Sequence, residues 1–146
     1  MAERTLKKKR GNIKITILRP TIITGAYEEP YRGWTDTVSA SGGITYTVST
    51  GVLRYIYGQG KYFLDLIPVD IIVNDIVVGT YASAVSEPKL QVIHGSSSFA
   101  NPLPMRRYRN GILTHIKRNP YHKQQAEPWA IFVENFSVYK MIIYLT

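Results

Sequence analysis

Leu6-Lys-Lys-Lys-Arg-Gly11-Asn-Ile13-Lys-Ile-Thr-Ile-Leu18 decides how this chain folds. Its first half continues Met1-Ala-Glu-Arg-Thr, good helix formers that run into a cluster of cations and stop at Gly11-Asn12. Cations suit the negative end of the helix macrodipole, and Gly suits the left-handed stop that follows it, so residues 1–10 predict the C-terminal end of a helix with no N-cap ahead of it. A nuclear-import or nucleic-acid patch at Lys7 to Arg10 is the alternative reading. In the second half Ile13, Ile15 and Ile17 alternate with Lys14 and Thr16, which predicts a β-strand. Helix, Gly stop and strand form the αβ half of an α/β repeat.

The strand runs into Leu18-Arg-Pro-Thr-Ile-Ile-Thr-Gly-Ala-Tyr-Glu-Glu-Pro-Tyr-Arg-Gly-Trp-Thr-Asp36, a long segment punctuated by Pro20, Gly25, Pro30 and Gly33. In open α/β sheets, ligands bind beyond the carboxyl ends of the strands, where this loop lies. An exposed connection with no ligand is the other reading.

One domain with a real core is what 146 residues at 45% hydrophobic content support. The absence of Cys removes disulfides and thiolate metal sites and fits a reducing compartment. A net charge of +8 favours anionic partners, whether nucleic acid, an acidic membrane surface or a phosphate-bearing small molecule. No apolar run approaches the roughly 18 residues of a membrane span, and the charged start lacks the apolar segment of a secretory signal.

Further along, Trp34 to Ala40 predicts a short helix, Gly42-Gly43 a turn, and Ile44 to Val48 a strand or extended segment. Tyr57-Gly-Gln-Gly-Lys61 has the spacing that puts a phenol and an ammonium on one helical face, but its two glycines would cost about 2 kcal/mol of helix propensity relative to Ala. Tyr57 and Lys61 are therefore expected in a loop. Asp70 predicts the N-cap of a helix whose apolar face is Ile72, Val73, Ile76 and Val77 and which ends near Ser86-Glu87-Pro88. Leu90 to His94 reads as a strand, and Pro104 to Arg118 as a helix with Tyr108, Ile112 and Ile116 on its apolar side. Arg106-Arg107-Tyr108-Arg109 offers charge beside a stacking ring, as an RNA site would, or a solvated face. His94, His115 and His122 share no ligand spacing, so no metal site is assigned. Pro128 to Leu145 predicts a single helix, packed in a core or lying at an interface.

Leu18-Arg-Pro-Thr-Ile-Ile23, Glu29-Pro30, Gly33-Trp-Thr-Asp36, Gly51-Val-Leu-Arg54, Asp65-Leu-Ile-Pro-Val-Asp70 with Asn74, Ser97-Ser98, Asn101-Pro102 and Lys117-Arg-Asn-Pro120 follow one another in a specific order and spacing. In that set the chain resembles the fatty acyl-CoA reductases, members of the extended short-chain dehydrogenases. Thr21 stands where that family usually has Ser, and Tyr31-Arg32 replaces a typical Phe-Pro, so details of the substrate-side loop differ.

The resemblance implies an α/β fold: part of a doubly wound, Rossmann-like domain followed by a mainly helical tail. Residues 1–122 would be the C-terminal, substrate-side part of an NADP-binding reductase domain, and 123–146 the start of a helical C-terminal region. It implies NADPH-dependent reduction of long-chain acyl-CoA to fatty alcohol, with Pro20, Thr21, Ile22 and Ile23 lining the nicotinamide end and Trp34 and Asp36 the acyl side. The family's Gly-rich phosphate loop and catalytic Tyr-x-x-x-Lys have no counterpart in these residues, so no catalytic residue is assigned and the 146 residues alone are expected to be inactive. The implied setting is intracellular, on the cytosolic face of the peroxisomal or endoplasmic reticulum membrane, with a membrane-associated parent enzyme and no nucleic-acid partner. The alternative is a non-catalytic basic module that binds nucleic acid or an anionic membrane.

Overall fold

A computed structural model describes residues 2–38, 40–85, 90–120, 122 and 124–145. The chain divides into two compact units, residues 1–35 with 66–97 and residues 36–65 with 98–146.

In the first unit the opening helix and strand form as their patterns dictate. Helix α1 spans Ala2–Lys9 and ends where Arg10 N donates to Leu6 O at 2.9 Å and Gly11 takes φ 57°, the left-handed stop that Gly alone enters cheaply. Strand β1, Ile15–Pro20, begins two residues later than the alternation suggests, because Ile13 is left exposed ahead of the ladder. Strand β2 covers Ile22–Thr24 and strand β5 Leu66–Pro68; helix α3 covers Val69–Val85 and strand β6 Leu90–Gly95. The β1 strand pairs in parallel with β6 from Ile15↔Leu90 to Pro20↔Gly95, and β2 pairs in parallel with β5. Parallel neighbours need a crossover, and α3 provides the helix of it, packed on β1 and β6.

The packing face of α3 differs from the expected one. Ile72 and Gly79 are buried, whereas Val73, Ile76 and Val77 are exposed. Gly79 sets the angle: a Cβ there would lie 3.2 Å from Ile93 Cδ1 and from Thr16 Cγ2, and the Thr16 hydroxyl donates to Gly79 O at 3.1 Å. With the helix seated there, the two-stranded sheet beneath covers less than its apolar girth. The helix ends at Val85, and the predicted stop at Ser86-Glu87-Pro88 lies outside the described residues.

The second unit corrects several expectations. Residues 34–38 form no helix, and the segment read as turn plus strand is helix α2, Ser41–Ser49. Its β-branched residues are accommodated because Thr45, Thr47 and Thr50 donate back to the carbonyls of Ser41, Gly43 and Tyr46, at 2.9, 2.8 and 3.0 Å. Gly42 and Gly43 fit where a Cβ would sit 3.1 Å from Thr37 O and 2.9 Å from Val38 O. Strand β3, Tyr55–Tyr57, pairs in parallel with β8, Ile131–Val133; β4, Phe63–Leu64, pairs antiparallel with β7, Leu103–Pro104. Helix α4, Met105–Arg118, lies where expected and buries Ile112 and Ile116.

The predicted single helix over Pro128 to Leu145 is instead β8 followed by helix α5, Phe136–Leu145. Tyr55 and Ile131 pair across the ladder, and Asn135 Oδ1 accepts from Ser137 N and Val138 N at 2.9 and 3.2 Å, which starts the helix afresh. The core of this unit is Val48, Ile112 and Ala130, with Leu53, Ile56, Tyr108 and Leu113 packed against it. The Tyr108 hydroxyl lies 2.7 Å from Thr45 Oγ1 and 2.9 Å from Ser41 O, so its polar tip is satisfied inside the contact between α2 and α4.

Candidate functional site

The carboxyl ends of β1 and β6 carry the first group of candidate residues. Pro20 sits opposite Gly95, and the next amide, Thr21 N, donates to Gly95 O at 2.9 Å, which directs the chain from β1 into β2. Gly95 is buried, and a Cβ there would be 2.5 Å from Ile72 Cδ1, so the strand end and α3 meet closely. Pro20 is exposed and Thr21 half-buried. Ile22 and Ile23 remain 43% and 40% exposed although both belong to β2, which leaves apolar surface at a strand end where polar residues would cost less. All four residues are thus contiguous along one strand-to-strand passage.

Beyond β2 the chain closes a loop on itself. Gly33 N donates to Ala26 O at 2.8 Å and Ala26 N to Trp34 O at 2.9 Å, so Ala26, which is buried, pairs with the far end of the loop. Gly25 makes this possible: a Cβ there would lie 3.0 Å from Gly33 O. Gly33 takes φ 82°, and the Glu29–Pro30 peptide is cis. Trp34 is half-buried at the closure, its amide donating to Tyr31 O at 3.1 Å. Asp36 is exposed and belongs to the second unit.

What holds the tip is a single carboxylate. Asp70 Oδ1 accepts from Tyr27 N at 2.9 Å, and Oδ2 from Glu28 N at 2.9 Å and Glu29 N at 3.3 Å. These backbone bonds, Tyr27 first, draw the carboxyl pKa from 3.8 down to about 2. Asp70 lies inside the first turn of α3, which starts at Val69, so it does not act as the predicted N-cap of its own helix. Consecutive loop amides need partners, and the side chain supplies them from across the unit. The only sequence signal for this was the demand itself: three donors in a row before Pro30 with no strand to pair with.

Two further contacts explain motif residues whose roles were not legible. Ser97 Oγ donates to Leu66 O at 2.6 Å, securing β5 in the first unit. In the second, the Asp65 carboxylate accepts from Ser98 N at 3.1 Å and Ser98 Oγ at 2.9 Å. At the back of β1, Arg19 Nε donates to Glu3 Oε1 at 3.0 Å and a second guanidinium nitrogen pairs with Oε2, tying α1 to the strand that carries Pro20. That hydrogen-bonded arginine holds the Glu3 carboxyl below its ordinary pKa.

Tyr57 is the last residue of β3 rather than a loop residue, and Gly58 follows at φ 134°. Lys61 lies in the turn beyond, so the two share no helical face. Tyr57 packs its ring on Phe136 and Tyr139, at 5.2 and 5.7 Å between centroids. Within Arg106–Arg109, the solvated-face reading fails for Arg109, which is half-buried, donates to Ala130 O at 3.2 Å and stacks over Phe132 at 5.2 Å.

Comparison with known proteins agrees with this architecture. Residues 1–76 match the NAD-binding family described as male sterility protein. Mouse fatty acyl-CoA reductase 2 is 33% identical over 143 residues, covering 95% of this chain and 27% of the mouse protein. Fatty acyl-CoA reductase 1 of Xenopus laevis is 26% identical over 140 residues, with the same two coverages of 95% and 27%. The chain therefore spans about a quarter of the length of these relatives. Among solved structures, the UDP-glucose 4-epimerase of Thermotoga maritima with UDP-glucose superposes with TM-score 0.54 at 18% identity, over 94% of this chain and 39% of that one. A UDP-N-acetylglucosamine 4-epimerase from Methanobrevibacter ruminantium gives TM-score 0.56 at 13% identity, over 92% and 37%. The epimerases show the fold alone, and it is the Rossmann-like α/β fold that the family resemblance implied. With the motif order, the parallel β1–β6 pair and the family match in agreement, this chain belongs to the NAD-binding male sterility family that includes the fatty acyl-CoA reductases.

Proposed function

We propose that this chain is the substrate-side part of an NADPH-dependent fatty acyl-CoA reductase that converts long-chain acyl-CoA to fatty alcohol. The observation that carries the reading is the exposed apolar passage Pro20 to Ile23 at the carboxyl end of a parallel strand pair, followed by a loop locked by Asp70. A nicotinamide ring needs a flat, water-poor wall on one side, and Pro20, Ile22 and Ile23 fit that requirement. When bound, one NADPH would supply a hydride to the thioester carbonyl, with a proton taken up and coenzyme A leaving as the thiol, and a second NADPH, exchanged for the oxidised first, would supply the hydride that with another proton turns the aldehyde into the alcohol.

The chain's own residues orient and shield. The passage from Pro20 to Ile23 would pack against the nicotinamide, and its geometry is set by the Thr21–Gly95 hydrogen bond and by Arg19 gripping Glu3. Trp34, half-buried at the loop closure, would present its ring to the acyl side, with Asp36 beyond it. Positioning of this kind accounts for several kcal/mol of a reaction barrier, so displacement of the loop should be felt in turnover. A cytosolic-facing site on the peroxisomal or endoplasmic reticulum membrane goes with a long-chain substrate.

The test is transplantation. These residues would replace the matching segment of the mouse reductase, and fatty alcohol formation from palmitoyl-CoA would be measured with NADPH and with NADH. Alcohol formed with NADPH, and reduced at least tenfold by Ile22→Asp, supports the proposal. A folded hybrid that binds nicotinamide but forms neither aldehyde nor alcohol contradicts it.

A further inference from the structure

We infer that the amino end of the β1–β6 pair, together with the outer side of α3, is a docking surface for an anionic phospholipid bilayer. The surface is defined by charge and exposure within the first unit, so it adds to the reductase reading without resting on it. Three elements meet at that end. Glu3 at the start of α1 pairs with Arg19 near the end of β1, so α1 runs back along the strand and its last turn, Lys7-Lys8-Lys9, lies toward the strand's amino end. In the connection that follows, a guanidinium nitrogen of Arg10 donates to Ile13 O at 3.1 Å, and Ile13 itself is 68% exposed. Lys14 Nζ then donates to Ala84 O at 2.9 Å, which ties the start of β1 to the last turn of α3.

Charge in this unit is polarised along the strands. Residues 5–18 and 76–85 hold five cations and no carboxylate, whereas residues 19–35 and 66–75 hold Glu28, Glu29, Asp70 and Asp75 against Arg19 and Arg32. Lys7, Lys8 and Lys9 are exposed and pair with no carboxylate among the described residues, whose ion pairs are Arg19–Glu3 and Arg32–Glu28. Beside them α3 turns apolar residues to water. From Val77 to Val85 this helix has no charged residue, and Val77, Val78, Tyr81 and Val85 are 63 to 69% exposed. At about 100° per residue these four fall within about 100° of arc, on the side away from Gly79, which packs against Ile93 and Thr16. The outer side of a surface helix ordinarily carries charged and polar residues, so this stripe calls for a partner.

Lysines next to exposed valines and a tyrosine match an anionic bilayer better than other anionic surfaces. The ammonium groups meet the headgroup phosphates and carboxylates, the valines reach the acyl boundary, and a tyrosine ring suits the zone between them. Nucleic acid would engage the lysines and leave the valines in water. A second copy joined through the same surface about a two-fold axis would bring both lysine clusters into one interface, where they repel. The surface lies about 17 Å along β1 from Pro20, at the other end of the strand from the candidate nicotinamide wall.

Co-sedimentation of the 146-residue chain with phosphatidylcholine vesicles, with and without about a third phosphatidylserine, tests this. Expected is binding that needs phosphatidylserine and falls as salt rises. Lys8→Gln should weaken it about fivefold, and Lys7→Gln, Lys8→Gln and Lys9→Gln combined about a hundredfold. Tyr81→Asp should weaken it at least about tenfold, whereas Arg32→Gln and Lys117→Gln should leave it unchanged. Because the chain has no Cys, Val78→Cys and Arg32→Cys each create a single site for an environment-sensitive fluorophore. Phosphatidylserine vesicles should shift the emission of the first to the blue and leave the second unchanged. Both Val78 and Tyr81 project away from the packed side, so these variants should keep the wild-type urea midpoint. No binding to phosphatidylserine vesicles, equal binding to phosphatidylcholine alone, an unshifted label at residue 78, or a loss in Lys117→Gln as large as in Lys8→Gln would each overturn the surface. So would tighter binding of a short single-stranded RNA than of the vesicles, or a dimer that Tyr81→Asp dissociates. The reductase reading is judged separately: a transplanted hybrid that reduces palmitoyl-CoA, alongside a chain that ignores vesicles, retains the reading and removes the surface. A hybrid inactive with NADPH, alongside a chain that binds vesicles through these residues, does the reverse.

Discussion

The loop from Leu18 to Asp36 and the helix from Ser41 to Ser49 are neighbours in sequence but are held by opposite means. Most of the loop is exposed and irregular, and its tip depends on one carboxylate accepting from three successive amides. The helix carries a fully buried Val48 and a Tyr108 hydroxyl bonded into its first turn. A loop fixed through one side chain can be released by one substitution and leave its surroundings standing. A helix fixed by packing transmits damage to its whole unit.

The largest expected effect lies next to the packed helix. Gly51 has φ 78°, and a Cβ there would lie 2.5 Å from Ala126 O, a backbone atom that cannot rotate away. Gly51→Ala should cost about 3 to 4 kcal/mol, from left-handed strain plus displacement of the 125–126 segment that donates to Thr50 O. Urea unfolding would show it as a lower midpoint, and an unchanged midpoint would mean that the packing here is looser than described. Next, Ile112→Ala removes a buried side chain from the core around Val48 and should cost about 2 to 3 kcal/mol by the same measurement. Tyr108→Phe should cost about 1 kcal/mol, since the ring stays and the hydrogen bonds to Thr45 and Ser41 go. Tyr57→Phe is the smallest, within about 0.5 kcal/mol, because the contacts of that residue with Phe136 and Tyr139 are made by its ring. A fall in activity of the hybrid enzyme on Tyr57→Phe would restore the Tyr57–Lys61 pair as a chemical site.

How well the sequence could be read follows the same divide between local and distant causes. Strands β1 and β6 were legible as strands, β1 because its isoleucines alternate with polar residues and Gly11 marks the helix stop before it, while their pairing with one another was not read from the sequence. The α4 helix was legible because Tyr108, Ile112 and Ile116 recur at helical spacing. By contrast, Ser41-Gly-Gly-Ile-Thr-Tyr-Thr-Val-Ser49 looks extended by residue type, and what makes it a helix is distant in sequence: the burial of Val48 against Ile112 and Ala130 and the Tyr108 hydroxyl bonded to Ser41 and Thr45. The three-residue β8 strand was hidden inside an apolar run, and its pairing with Tyr55–Tyr57 spans more than seventy residues of sequence. Of the candidate site, the motif order singled out Pro20 to Ile23 and the loop as an expectation, and the structure shows where they lie: at the carboxyl end of β1 and through β2. The grip of Asp70 was misread as a local cap, because nothing in the spacing says that the carboxylate reaches back about forty residues.

Amide hydrogen exchange at two pH values tests the central claim most directly. Because the folded-state pKa of Asp70 is depressed from 3.8 to about 2, its contribution is fully present above about pH 4 and is lost as pH falls toward 2. At pH 5, Tyr27 and Glu28 should be protected in the wild type and exchange freely in Asp70→Asn, while the α2 amides keep their protection in both. In the wild type at pH 2.5 the 27–28 amides should still be partly protected. Equal protection of Tyr27 and Glu28 in both proteins, or loss spreading over residues 44–49 in Asp70→Asn, would show that the loop is held by something other than this carboxylate.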